Sequence, residues 1–365
     1  MRKQNKFRRI LRVIMAAVFV VATASLGSAQ GTCTAANPND GNPDDVALNA
    51  CLSGGGTVTL VEGSVGYILA NPVSIIVSGT SIVGPAVGLA NFIAKNDLTG
   101  YMLQALDVNN VTLQSLWFDG NKGNRTVPCN PNDGTGKNLV ARGNNIHVDN
   151  VGSINALCGS AFEVHSDGLS VTNSYFANNG YEYPTGPWAD GLTVWGCLNG
   201  SVHDNFFSDN TDVDLIVGGA SNCSVYSNTI SHADVRGLAG LMVGWFPGLN
   251  GNHSTASYHD NTITSSLNKL SFGLMVGQHA WTMEASMQVT DAGSVYSNSI
   301  SGAVVNLAVD GVSTGTVSGN NPSNPQGTLG YPCTYGANYT YAHQGTAGLQ
   351  AGAVPFRHDA GVCAP

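Results

Sequence analysis

A short phrase centred on asparagine repeats along the second half of the chain. An apolar lead residue is followed by two mostly polar residues, the asparagine and a further short strand. The phrase occupies residues 202–207, 225–230, 258–263, 295–300 and, shortened, 317–320. The lead residues are 23, 33, 37 and 22 positions apart, which indicates a basic unit of about 22 residues with occasional insertions. Such a repeat predicts stacked supersecondary units, each burying its apolar face against its neighbours.

Each unit also contains a short apolar strand with glycine at or near its ends. These strands occupy residues 191–196, 214–219, 240–244, 273–277 and 306–311. Two or three short strands per turn, with no helical period between them, predict an all-β parallel solenoid. Alternation predicts that Leu192 and Val194 point inward, so Gly191, Thr193 and Trp195 face outward. The composition agrees, because 46 glycines and only 10% charged residues favour turns over helices.

Residues 1–29 have the pattern of a secretory signal peptide: a basic start, an apolar run over residues 13–24 and small residues at 27–29. Removing this segment leaves 8 cationic against 23 acidic residues, a net charge of −15. Nucleic acid and anionic membrane are therefore not expected as partners, since both require a basic face. We expect a secreted or periplasmic protein that acts as a monomer.

The eight cysteines after this segment predict disulfides, because the count is even and the protein is expected outside the cytoplasm. Sequence neighbours are the simplest pairing, although spacing alone does not fix it. Cys197 and Cys223 fall at nearly equivalent places in successive turns, which suits a bridge. The cysteines are Cys33, Cys51, Cys129, Cys158, Cys197, Cys223, Cys333 and Cys363.

The repeated asparagine has a structural explanation that outweighs a binding role. Asparagine tolerates the left-handed backbone of a bend, and its amide can hydrogen-bond neighbouring backbone groups. One asparagine at the same bend of every turn predicts a ladder of stacked amides. Its members are Asn205, Asn228, Asn261, Asn298 and Asn320.

The front of the chain resembles the pectin-lyase-like superfamily. Residues 44–51, 54–60 and 110–121 are similar to the opening and early turns of polygalacturonases and related enzymes. The resemblance implies a single-stranded right-handed parallel β-helix over residues 30–320, closed at its start by a short capping helix. It covers roughly residues 40–320 and is specific for the fold and not for one activity, because this superfamily hosts many functions.

The repeat phrase stops at Asn320, and residues 321–365 are rich in glycine, alanine, proline and tyrosine. An open solenoid end exposes unpaired strand edges, so we expect this segment to fold back as an irregular cap. A Cys333–Cys363 disulfide is expected to hold it. Truncation at Asn320 should then cause aggregation, whereas a soluble truncation with unchanged melting would contradict this prediction.

The candidate chemistry lies in acidic residues one turn apart. Asp190 precedes Asp212 and Asp214 by 22 and 24 residues, so their carboxylates are expected close together. Adjacent carboxylates raise one another's pKa, as an acid–base pair requires. Turn capping by Asp190 and Asp212 explains the same residues equally well. Arg236 is expected near this cluster. One role for it is to bind or deprotonate a sugar acid. Neutralising Asp212 or Asp214 is the slightly favoured role, because oppositely charged neighbours at this range are common.

The polygalacturonase motifs are incomplete. That family shows Asn-x-Asp, then Asp-Asp, then Gly-His-Gly and Arg-x-Lys, whereas this chain matches only Asp190 and Gly191 of the first motif. Its second aspartate, Asp214, is displaced by one position, and His232 lacks flanking glycines. Polygalacturonase activity itself is therefore not predicted.

Aromatic and polar residues near this face are predicted to bind a glycan, since flat rings pack on the C–H faces of sugars. Folding of these loops onto the solenoid is the alternative explanation. The predicted binding residues are Glu163, His165, Trp188, Trp195, His232, Trp245 and His279.

Three functions follow from these residues. The first is hydrolysis of a polysaccharide, without a cofactor, by two of Asp190, Asp212 and Asp214. The second is a lyase or C5-epimerase acting on uronates, in which the three aspartates bind Ca²⁺ and Arg236, or less favourably Lys269, abstracts a proton. The third is a surface β-helix that binds a glycan without catalysis.

Overall fold

The computed structural model describes residues 29–182, 185–246, 252–266, 269–277, 289–303, 305–309 and 312–322. These residues form 27 strands, one α-helix (α1) and one 3-10 helix, and every strand pairing is parallel. No helix among them is long and apolar enough to cross a membrane. The strands are β1 Ala29–Thr32, β2 Thr57–Thr59, β3 Tyr67–Leu69, β4 Val73–Ile75, β5 Ser81–Val83, β6 Ala90–Ala94, β7 Leu103–Ala105, β8 Val111–Asp119, β9 Leu139–Asn144, β10 Ile146–Ile154, β11 Gly159–Asp167, β12 Ser170–Thr172, β13 Tyr175–Ala177, β14 Ala189–His203, β15 Phe206–Ser208, β16 Val213–Val217, β17 Ala220–Tyr226, β18 Thr229–His232, β19 Gly237–Val243, β20 Ser257–His259, β21 Thr262–Ser265, β22 Leu270–Val276, β23 Val289–Tyr296, β24 Ser299–Ser301, β25 Val305–Val309, β26 Val312–Ser318 and β27 Asn321–Pro322; α1 is Asp45–Leu52 and the 3-10 helix is Lys122–Asn124.

The pairings stack the strands into three columns, which form the three faces of a solenoid. Sheet A contains β1, β2, β5, β12, β17, β20, β23 and β26, and sheet B contains β3, β6, β13, β15, β18, β21, β24 and β27. Sheet C contains β4, β7, β9, β11, β16, β19, β22 and β25. The long strands β8 and β10 belong to both A and B, and β14 belongs to both C and A. The predicted parallel β-solenoid is confirmed.

The core lies inside the three sheets and is built from stacked identical positions. The lead residues of the repeat phrase pair in register from turn to turn in sheet A, and all are buried. In sheet C one leucine per turn does the same, at Leu192, Leu215, Leu241, Leu274 and Leu307. A unit therefore buries its apolar face only when its neighbours are present, as the repeat predicted.

The asparagine ladder is confirmed. Each side-chain amide Nδ2 donates to Oδ1 of the asparagine one turn on, at 2.9, 2.9, 2.9 and 2.7 Å. The same Oδ1 atoms also accept from the backbone N–H groups of the preceding asparagines, at 3.1–3.2 Å. The amides thus satisfy buried polar groups at the bend between sheets A and B, which is a structural role.

Helix α1 closes the first turn. Asn49 Oδ1 accepts from the backbone N–H of Ser74 at 2.8 Å, and its Nδ2 donates to the carbonyl of Pro72 at 3.0 Å. Asp45 Oδ1 accepts from the backbone N–H of Ala70 at 3.0 Å. These side chains pair backbone groups around the start of β4 that have no preceding turn to bind, so the predicted capping helix is present.

Three disulfides join sequence neighbours, as predicted: Cys33–Cys51, Cys129–Cys158 and Cys197–Cys223. The last one links successive turns. The expected Cys333–Cys363 bridge, the C-terminal cap and most of the predicted signal peptide lie outside the described residues.

Connections from sheet C to sheet A vary in length without changing the register of either sheet. Residues 218–219 alone join β16 to β17, whereas residues 244–256 join β19 to β20. Both turns nevertheless keep Val217 opposite Val243 in sheet C and Val225 opposite Tyr258 in sheet A. The extra residues of the β19–β20 connection therefore fall between sheets C and A and alter the register of neither sheet.

Candidate active site

A cavity of about 240 Å³ opens on the outer face of sheet C. Outward positions of consecutive strands form its floor: Glu163 pairs with Thr193, Thr193 with Ile216, and Ile216 with Met242. One half of the cavity is polar and the other is apolar. The full lining is Lys137, Gly159, Ser160, Glu163, Asp190, Thr193, Trp195, Asp212, Val213, Ile216, Leu238, Met242 and Phe246.

Asp190 accepts three hydrogen bonds in the polar half of the cavity. Its Oδ2 accepts from the hydroxyls of Thr193 at 2.8 Å and Ser160 at 3.2 Å, and its Oδ1 accepts from the backbone N–H of Val213 at 3.2 Å. Burial raises the pKa of Asp190 to about 6, with the three hydrogen bonds opposing the rise and the charge of Glu163 adding to it. Asp190 therefore changes its ionisation close to neutral pH.

Asp212 lines the same cavity one turn further along. Burial, and then the neighbouring charge of Asp190, raise the pKa of Asp212 well above its ordinary value. The structure thus brings two of the three predicted carboxylates together. Their pKa values are raised by the same low-dielectric setting and by each other, so the pair titrates as a unit.

Glu163, predicted as a binding residue, also lines the cavity, but it is paired with cations. Its Oε1 forms a buried ion pair with Lys137 Nζ, and its Oε2 lies 4.0 Å from an Arg142 nitrogen. The Tyr101 hydroxyl donates to the same Oε2 at 3.5 Å, and burial followed by the Glu163 charge raises the pKa of Tyr101 to about 12. Sequence reasoning missed Lys137, Tyr101 and Arg142. Lys137 lies before β9 and outside its register with β11, so the spacing between turns gave no signal for it.

Two aromatic rings border the apolar half. The rings of Trp195 and Phe246 are 4.5 Å apart at an interplanar angle of 31°. Phe246 lies so close to Gly218 that a Cβ added there would be 1.8 Å from Phe246 Cδ2. Only glycine allows this packing. Of the residues predicted to bind a glycan, Trp195 lies at this border, and its role in binding stays a prediction.

The structure does not bring Asp214 or His232 to the cavity. Both side chains have no exposed surface and lie inside the solenoid, where His232 Nδ1 is 3.2 Å from Asp214 Oδ2. Asp214 Oδ1 also accepts from Asn210 Nδ2 at 2.8 Å. The position is an inner corner of sheet C, which other turns fill with glycine or asparagine. In register, Asp214 is equivalent to Gly191, Gly240, Gly273 and Asn306.

The sequence slightly favoured Arg236 as the partner that neutralises Asp212 or Asp214. In the structure its ion pair is with Glu182 instead. Its Nε is 2.5 Å from Glu182 Oε1, in the connection between β13 and β14. The spacing between turns gave no information about Glu182, because this residue lies in a connection and not in a repeated strand. The three aspartates of the calcium hypothesis also do not converge, and no cluster of three or more metal-ligating side chains occurs in the described ranges.

The other predicted binding residues lie outside the cavity lining. His165 packs over Gly196, where an added Cβ would be 2.8 Å from its Cδ2. Trp245 packs against the main core, and the Trp188 carbonyl accepts from the backbone N–H of Gly159 at 2.9 Å. His279 lies outside the described residues.

Two solved structures share the fold of this chain. The A-module of the mannuronan C-5 epimerase AlgE6 from Azotobacter vinelandii superposes with a TM-score of 0.57 at 15% identity, covering 80% of this chain and 77% of that one. The chain has the right-handed parallel β-helix of the pectin-lyase-like fold. Full-length tailspike protein 2 from the Escherichia coli O157:H7 bacteriophage CAB120 gives a TM-score of 0.52 at 10% identity, covering 79% of this chain and 38% of the tailspike. No protein-family model and no curated protein sequence matches the chain.

Proposed function

We propose that this protein is a secreted enzyme that hydrolyses glycosidic bonds of a polysaccharide. The observation that carries the proposal is the pair of carboxylates of buried Asp190 and half-buried Asp212, whose pKa values are both raised in one cavity on the outer face of sheet C. Paired carboxylates with separated pKa values are the acid–base machinery of glycoside hydrolysis. The three disulfides suit an oxidising compartment.

The two carboxylates take different roles because their surroundings differ. Asp212, whose pKa is raised by burial and by the charge of Asp190, is the proposed acid that donates its proton to the leaving glycosidic oxygen. Asp190 accepts three hydrogen bonds, which stabilise its charged form, so it is the proposed partner that is ionised. Its carboxylate then activates water or stabilises positive charge on the sugar.

Two asparagine substitutions test this assignment. Asp212→Asn and Asp190→Asn should each lower kcat by about 10²–10⁴-fold on a responsive polysaccharide, as loss of a general acid or base does. Asp234→Asn is the matched control, because this exposed aspartate lies in the loop before β19 and lines no part of the cavity. Full activity of Asp212→Asn would overturn the proposal, and glycan binding without any turnover would favour the non-catalytic alternative.

Asp214→Asn separates this proposal from one in which Asp214 acts in catalysis. Asparagine already occupies the equivalent corner at position 306, where its Oδ1 accepts from the backbone N–H of Ala303 at 3.1 Å. We expect Asp214→Asn to alter melting and to retain activity. Loss of activity with unchanged melting would return Asp214 to the mechanism.

A uronate lyase or epimerase is the second candidate. Lys137 lies in the cavity beside Glu163, where a cation can face a sugar carboxylate, and the AlgE6 A-module, which shares the fold, is named as a mannuronan epimerase. The product distinguishes the two candidates, because a lyase leaves an unsaturated sugar that absorbs in the ultraviolet whereas a hydrolase leaves a new reducing end. An epimerase leaves the chain length unchanged.

A further inference from the structure

The apolar half of the cavity is unusual for a site that handles sugar. Val213, Ile216, Leu238, Met242 and Phe246 line it, and each is at most 8% exposed. They belong to a second apolar cluster on the outer side of sheet C, separate from the core of the solenoid. A free sugar hydroxyl directed into this half would lose its water without gaining a partner, which is unfavourable.

One polar atom interrupts this surface. Trp195 packs on the same cluster and lines the cavity, and its indole Nε1 is buried with no acceptor among the described residues. Buried N–H groups in folded proteins almost always have an acceptor, so this unpaired donor marks a position in the cavity wall where an acceptor is missing. The side chains of the apolar half carry no oxygen and no second N–H donor.

A small group with one acceptor and an otherwise apolar surface matches these properties. An acetyl ester has a carbonyl oxygen to accept the Trp195 N–H and a methyl group to pack against Met242 and Ile216. An N-acetyl group matches less well, because its amide N–H would face side chains that offer it no oxygen. A plain hydroxyl would need both a donor and an acceptor.

We propose that the apolar half of the cavity is a subsite for an O-acetyl substituent of the polysaccharide, with Trp195 Nε1 as the hydrogen-bond donor to the ester carbonyl. The inference rests on the proposed function, since it places the sugar ring and the scissile bond against the polar half. Trp195 and the apolar wall select the substrate and take no part in proton transfer.

Matched pairs of polysaccharides test the subsite. O-acetylated glucomannan and O-acetylated xylan are each compared with the same polymer after mild alkaline deacetylation. The wild-type protein should show at least about tenfold higher kcat/KM on the acetylated member of the pair that it cleaves. Trp195→Phe removes the donor and keeps a ring beside Phe246, so it should reduce that preference several-fold.

Two further variants guard against a folding defect. Val213→Thr keeps the shape of the wall and adds a hydroxyl, so it should also weaken the preference, whereas Met242→Leu keeps the wall apolar and should retain it. The melting transition of each variant, followed by circular dichroism, shows that it is folded. Equal turnover of both members of a pair by the wild type would overturn the subsite and leave the hydrolase proposal intact.

A binding measurement separates failure of the subsite from failure of the proposed function. Affinity electrophoresis of the Asp212→Asn variant in gels that contain each polymer reports binding without turnover. Retardation by an acetylated polymer and not by its deacetylated partner supports the subsite, even if the wild type cleaves neither. Absence of turnover overturns the hydrolase proposal, and absence of any selective retardation or turnover overturns the subsite.

Discussion

Asp190→Asn should make the protein more stable at alkaline pH, although it removes a proposed catalytic group. The carboxylate is 9% exposed and must become charged in a site that disfavours charge. Asparagine fits the same hydrogen bonds: Oδ1 can accept from the Val213 N–H, and Nδ2 can donate to the Ser160 and Thr193 hydroxyls, which lie 2.7 Å from each other. The substitution therefore removes the buried charge with little change in packing.

The sign and size of the effect follow from the pKa. Because the folded-state pKa of Asp190 is raised from 3.8 to about 6, its contribution to the free energy of unfolding is fully present below pH 3.8. That contribution is lost as the pH rises through about 6. A shift of about two units corresponds to about 3 kcal/mol, since each unit is worth about 1.4 kcal/mol. The variant should not show this loss.

Denaturant unfolding of wild type and variant at about pH 4 and about pH 8 measures the effect. The variant should gain up to about 3 kcal/mol relative to wild type between the two conditions. Asp107→Asn, at an exposed position with positive φ that asparagine also tolerates, is the control and should show no such gain. A stability difference for Asp190→Asn that is the same at both pH values would refute the attribution to buried charge.

Three other substitutions test features of the fold. Asn261→Ala interrupts the asparagine ladder and leaves buried backbone and amide groups unpaired, so the free energy of unfolding should fall by about 3 kcal/mol, measured by denaturant titration. Replacing Cys197 and Cys223 with alanine opens a bridge across 26 residues and should lower stability by about 3–4 kcal/mol, whereas a change below 1 kcal/mol would show that stacking alone holds these turns. Gly218→Ala should displace the Phe246 ring, seen as a change in near-ultraviolet circular dichroism, because the added Cβ would lie 1.8 Å from Cδ2.

The fold was predictable because each turn repeats the same arrangement of strands and bend. The lead residues of the phrase, the asparagine at the bend and the glycine-flanked strand each stack in register on their counterparts. A single turn is a weak signal, but several turns at one spacing define the solenoid, its inner face and the role of the asparagines. The neighbouring-cysteine pairing follows from the same stacking.

The site was only partly predictable, since alternation fails where the chain turns a corner. Strict alternation with Leu215 and Val217 inward would place Asp214 outward, yet Asp214 and Leu215 both point into the solenoid while Val213 lines the cavity. The aligned glycines at 191, 240 and 273 mark that inner corner. Lys137 and Phe246 enter the cavity from the residues next to their strands, so their positions depend on loop geometry that spacing does not encode.

The unequal connections between sheets C and A give this molecule a way to acquire new specificity without being refolded. Residues 244–256 carry Phe246 to the cavity, and yet the strands on either side keep the register that the two-residue connection at 218–219 also permits. Lengthening or exchanging this loop would change the wall of the proposed substrate cavity while the hydrogen-bond ladders stay intact. The loop that borders the proposed site and the strands that hold the solenoid together are thus separate parts of the turn, and selection can act on one without disturbing the other.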